Sequence, residues 1–124
     1  MKLEVGQFAR LKSGYICKII NINDFREPNM KYGVEANYLK DVMFIGDDDV
    51  VKASYNIIDI LEKRDYVNGY KVSFIGEDYI QEKFVQCDYP VEVGSTNHYR
   101  FYEKDIYSIV TKEQMEQMAY KVGE

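Results

Sequence analysis

At 124 residues the chain has the length of one domain, enough to bury roughly two thirds of its unfolded surface. With 46% hydrophobic and 30% charged residues it belongs to the folded globular class, not the disordered one. Sixteen Lys and Arg against 21 Asp and Glu leave a net charge of −5, which argues against a long nucleic acid as partner but leaves room for a small anion held by two or three local cations.

No apolar run reaches the roughly 20 residues of a membrane span, and the opening MKLEVGQFARLK lacks the apolar core of a signal peptide. A cytosolic protein with no membrane partner is expected. Cys17 and Cys87 have no paired spacing and only His98 to join them, so neither a disulfide nor a zinc site is expected. The 12 tyrosines favour strands, and also binding surfaces where an apolar ring and a polar tip both find use.

Val5, Phe8 and Leu11, a turn at Ser13 and Gly14, and the apolar run 15–22 predict a hairpin whose second strand is buried. This opening pattern resembles the start of small SH3-like barrels. Residues 23–33 read as a loop, punctuated by Pro28 and Gly33 and carrying Phe25, Arg26, Lys31 and Tyr32. Two readings stay open there, a solvated connection and a ligand-facing loop. Strands are expected near 34–39, 42–45 and 50–52. Asp47, Asp48 and Asp49 form a hairpin turn between the last two, since the alternate spacing of a calcium loop is absent.

Residues 54–65 predict a short helix, capped by Ser54 or Asn56, with Ile57, Ile58 and Leu61 toward the core. Asn68 and Gly69 between apolar residues signal a type I′ hairpin. A strand over 72–75 turns at Gly76, Glu77 and Asp78 into a second over 79–86. Residues 87–98 are loop-rich, and strands follow at 99–102 and 106–110. Thr111 and Gln114 make a capping box for a helix over 111–119 that packs Met115 and Met118, and 120–122 adds a small strand. The fold class is mainly β, an α+β domain spanning 1–124, with an antiparallel sheet or small partly open barrel and two short helices.

Enzyme signatures are missing: there is no GxSxG, P-loop or HExxH pattern. A non-enzymatic protein without cofactor or metal is expected. The densest chemistry is Asn97, His98, Tyr99, Arg100, Phe101 and Tyr102. Arginine grips phosphate bidentately, aromatics stack a base, and asparagine reads hydroxyls or base edges. On a strand, Tyr99 and Phe101 face one way, Arg100 and Tyr102 the other. An amphipathic strand with a surface arginine is the competing reading. The candidate ligand residues are Phe25, Arg26, Asn97, His98, Arg100 and Tyr102, with Arg10 and Lys18 in reserve.

The stretches VKASYNIIDILEKRDYVNGYKV (51–72) and SIVTKEQMEQMAYKVGE (108–124) resemble phage- and prophage-encoded proteins, and among them the first-described anti-Thoeris sponge family. The resemblance rests on overall pattern and covers about two thirds of the chain. It implies a homo-oligomer in the cytoplasm of an infected bacterium that sequesters, without degrading, a cyclic ADP-ribose isomer made by bacterial TIR-domain enzymes. Cyclic oligonucleotides are a further ligand class of some members. The alternative class is a phage module that masks a host protein through an acidic surface.

Overall fold

The computed structural model describes residues 2–36, 43–88 and 98–119. They gather into two compact units, Met1–Ile60 and Leu61–Glu124, each built on its own five-stranded antiparallel sheet. The mainly β reading with antiparallel pairing therefore describes the protein.

In the first unit, β1 (Phe8–Leu11) and β2 (Ile16–Ile22) form the predicted hairpin, with Ala9 opposite Cys17. Gly14 takes the left-handed φ of 92° that the turn requires, and its amide donates to the Leu11 carbonyl. β2 is half-buried: Cys17 and Ile19 face the core, whereas Lys18 and Ile20 face solvent. β3 (Tyr32–Glu35), β4 (Met43–Ile45) and β5 (Val50–Ser54) complete the order β4-β3-β2-β1-β5. Leu3, Ala9, Leu11, Cys17, Ile19, Tyr32, Val34, Ile45 and Val50 share one apolar core.

The three aspartates do not join a hairpin. β4 pairs with β3 and β5 pairs with β1, so the 3-10 turn Asp47–Asp49 carries the chain from one edge strand to the other. Four steps across a flat sheet span about 19 Å. A compact turn cannot cover that, so the sheet curls until its edges approach, with β4 and β5 unpaired. Asp49 accepts from the Gly46 amide at 2.9 Å and Asp47 accepts from the Tyr32 hydroxyl at 2.7 Å, so two of the three carboxylates are tied into this closure.

The helix expected over 54–65 is a single 3-10 turn, Ile57–Ile60. Its caps are as read: Asn56 Oδ1 accepts from the Ile58 amide and Ser54 Oγ from the Asn56 amide. A run of β-branched isoleucines resists a long α-helix, and Ile58 and Ile60 are buried by the short turn. The turn receives Arg10 of β1, whose guanidinium donates to the Ile60 carbonyl at 3.2 Å.

In the second unit, β6 (Tyr66–Val67) and β7 (Tyr70–Glu77) meet at Asn68 and Gly69, with φ of 53° and 86°. Positive φ at both residues is what a type I′ turn demands. β7 runs on through the predicted turn at Gly76, and the chain reverses over 78–82 into β8 (Lys83–Asp88). β9 (His98–Tyr102) and β10 (Ile109–Val110) complete the order β10-β6-β7-β8-β9. α1 (Lys112–Met118) starts on the predicted capping box: Thr111 Oγ1 accepts from the Gln114 amide and Gln114 Oε1 from the Thr111 amide. Met115 and Met118 are exposed and do not pack the core. The strand read at 120–122 lies outside the described residues.

Candidate functional site

The six candidate ligand residues divide between the units. Phe25 and Arg26 belong to the first; His98, Arg100 and Tyr102 belong to the second; Asn97 lies outside the described residues. Phe25 is fully exposed on a loop pinned by Asn23, whose Oδ1 accepts from the Phe25 amide. Arg26 lies 4.5 Å above the Phe44 ring and donates to Asn21 Oδ1 at 3.0 Å, while its Nη1 is buried without a hydrogen-bond partner. Of the reserves, Arg10 is 1% exposed and bound to backbone, which removes it from any ligand role. Lys18 is exposed, 5.7 Å from the Phe8 ring centroid.

The predicted alternation along β9 holds. Tyr99 and Phe101 cluster with Tyr70 on the face of Val85 and Cys87, with ring centroids 4.9 and 6.2 Å from Tyr70. Arg100 and Tyr102 stand on the opposite face against Phe84. The Arg100 guanidinium sits 3.9 Å over the Phe84 ring, and the Phe74 and Tyr102 ring centroids each lie 6.1 Å from that of Phe84. Phe84 is thereby 3% exposed although it stands on the face away from Val85. The face of the Arg100 guanidinium covers that ring, and the residue is exposed to solvent. His98 pairs in register with Asp88, beside Cys87.

Tyr102 has a defined partner. Its hydroxyl donates to Asp78 Oδ2 at 3.2 Å, while Asp78 Oδ1 accepts from the amides of Ile80 and Glu82. Partial desolvation works against the charged form of Asp78. The two amides, the Tyr102 hydroxyl and the Arg100 charge outweigh it and hold the carboxyl below its ordinary range. Both thiols are buried and free, and burial pushes Cys17 up to about 12 and Cys87 up to about 11, with the Asp88 charge adding to the latter. Such thiols are packing, not nucleophiles.

A concavity of the second unit lies elsewhere, a cleft of about 480 Å³ lined by Arg64, Tyr66, Lys71 and Lys112, with Glu113, Met115 and Glu116 at its helix side. That volume is in the range of small-molecule sites. The β6–β7 register sets Tyr66 directly opposite Lys71. Arg64 adopts φ 77°, and its amide bonds the Val72 carbonyl at 2.9 Å, which fixes it two residues upstream of Tyr66. Asp65, fully buried, ties the helix to this wall: Oδ1 accepts from the Lys112 amide at 2.9 Å and Oδ2 from the Glu62 amide at 2.7 Å. Lys112 also pairs with Glu62 at 2.7 Å.

A cleft of about 560 Å³ in the first unit is lined by Lys2, Lys31, Asp24, Asp47 and Tyr32, so its charges cancel. Lys31 is held above its ordinary range by a hydrogen bond to Asp24, with Tyr32 and Asp47 adding to it. Tyr32 is raised by desolvation and by its bond to Asp47. The second-unit cleft sets Arg64 and Lys71 beside an aromatic ring, with Lys112 already paired to Glu62 and with Glu113 and Glu116 on the helix side. Tyr66 opposite Lys71 follows from the Asn68 and Gly69 turn. The contribution of Lys112, 41 positions along the chain from Lys71, had no local signal. Among the described residues no three His, Cys, Asp or Glu side chains are grouped to hold a metal, and no helix is long and apolar enough to cross a membrane. The chain matches no protein-family model, no curated protein and no solved structure.

Proposed function

We propose that this protein binds and sequesters, without turning it over, a small phosphate-bearing nucleotide of the cyclic ADP-ribose class. The biological setting carried by the resemblance is phage counter-defence: the captured isomer is the signal of bacterial TIR-domain enzymes, withheld from its effector in the host cytoplasm. The observation that carries the reading is the cleft that Arg64 and Lys71 line together with Tyr66. A pyrophosphate takes Arg64 and Lys71, an adenine takes the ring, and the carboxylates of Glu113 and Glu116 accept from ribose hydroxyls. The exposed edge of Arg100 is the second anion-binding candidate.

The test is calorimetric titration with authentic cyclic ADP-ribose isomers, followed by heat release and mass spectrometry of the ligand. Binding with intact recovery is expected. Absence of both heat and thermal shift, or recovery of a cleaved product, sinks the proposal. Arg64→Gly keeps the positive φ and removes the charge; Lys71→Met keeps the stem. Each is expected to weaken binding by about tenfold or more, the worth of one charge-assisted contact. If Arg100→Ala or Arg26→Ala weakens binding and these two do not, the ligand sits on the stacked arginines instead.

A further inference from the structure

Met115 has the chemistry of a core residue without its place. It is 38% exposed on α1, a helix that buries none of its own residues. Its side chain instead lines the second-unit cleft, where the rest of the lining apart from Tyr66 is charged. The two apolar groups reach the cleft from different elements, Tyr66 from the β6–β7 hairpin and Met115 from the helix.

One buried residue fixes both elements at that point. Asp65 stands next to Tyr66 in the chain and is fully buried. Its carboxylate accepts from the Lys112 amide at 2.9 Å, and its backbone carbonyl accepts from the Val72 amide at 2.7 Å. Met115 lies three residues after Lys112, so the two share a helix face, and both line the cleft. The aspartate that seats Lys112 against the hairpin thereby brings Met115 to the cleft as well.

A planar base is the part of a ligand that such a pair fits. Stacking on Tyr66 occupies one of its faces. The other face stays in water unless an apolar group covers it. An unbranched thioether adapts its shape to an aromatic surface and gains a favourable sulfur contact there. Phosphate groups gain nothing from a methionine.

We infer that Met115 is the second jaw of a base clamp: it covers the face of the nucleobase that Tyr66 leaves open, and it makes the cleft select a nucleotide over a bare phosphate. The inference rests on the nucleotide reading of this cleft and adds to it a specificity-determining residue.

The experiment labels the methionine methyl groups with carbon-13 in the full chain and follows them by NMR. An authentic cyclic ADP-ribose isomer is titrated in, and inorganic pyrophosphate in a separate sample; the Met115→Leu variant assigns the resonance. An upfield ring-current shift of the Met115 methyl is expected with the nucleotide and none with pyrophosphate. Met118, on the same helix at 66% exposure but outside the cleft lining, is expected to stay in place. Calorimetry on Met115→Ala, whose thermal midpoint is expected to match that of the original chain, should show a three- to tenfold loss for the nucleotide, about the worth of one sulfur–aromatic contact. The inference is overturned if the nucleotide binds and the Met115 methyl does not move upfield, or if Met115→Ala binds it as tightly as the original chain. Either result, with binding still weakened by Arg64→Gly, leaves the sequestration reading standing. Failure of every isomer to bind sinks both.

Discussion

Asn68 carries two jobs in one residue. Its backbone supplies the left-handed φ of the β6–β7 turn, and its side chain locks a distant segment. Nδ2 donates to the Asp105 carbonyl at 2.8 Å, and Oδ1 accepts from the amides of Tyr107 and Ser108 at 2.9 and 3.1 Å. At 8% exposure these bonds have little competition from water. Asn68→Gly keeps the turn and loses the lock, so its destabilisation in urea unfolding isolates the side-chain term, expected at about 2–4 kcal/mol for three bonds. The thiols give a second prediction at this scale. Cys17 and Cys87 stay protonated in the folded chain until pH rises toward about 12 and about 11. Iodoacetamide at pH 8 is expected to leave both unmodified in buffer and to label both in denaturant. Because the folded values lie above those of an open chain, the burial contribution is whole below about pH 8.5 and is lost as pH rises through the folded values.

Elements are set here by their ends. The Thr111 and Gln114 capping box starts α1, and Thr111→Ala is expected to cost about 1 kcal/mol in thermal unfolding. Asp65 adds a tertiary cap that the capping box does not explain, joining the Lys112 amide to the loop before β6. In the first unit the closure between β4 and β5 depends on close backbone approach. A Cβ at Gly46 would stand 2.5 Å from the Pro28 carbonyl oxygen, and backbone cannot step aside as a side chain can. Gly46→Ala is therefore expected to destabilise by about 1–3 kcal/mol, read by the denaturation midpoint, although its φ of −113° suits any residue.

At the scale of the whole chain, the charge of −5 coexists with a cleft where Arg64 and Lys71 stand beside Tyr66. Long-range repulsion of polyanions and short-range capture of a pyrophosphate are compatible, because salt screens the first over about 10 Å at 0.1 M and touches a seated ligand less. Duplex DNA is expected to show no shift in gel mobility at 0.15 M salt, under conditions where a cyclic ADP-ribose isomer still binds.

The mainly β class, the β1–β2 and β6–β7 hairpins, the alternation along β9 and the start of α1 were legible in the sequence. Each rests on local rules: period-two patterning, positive φ at Asn68 and Gly69, and a capping box read over four residues. Tertiary structure decided the rest. It buried Arg10 under the Ile57–Ile60 turn, turned the three aspartates into a bridge between edge strands, and left Met115 and Met118 in solvent. It laid Arg26 and Arg100 on aromatic rings. It also brought Lys112 to Arg64 and Lys71 through the buried carboxylate of Asp65. A local pattern fixes which hydrogen bonds a short segment makes, but the company a side chain keeps depends on elements that fold onto it from dozens of residues away.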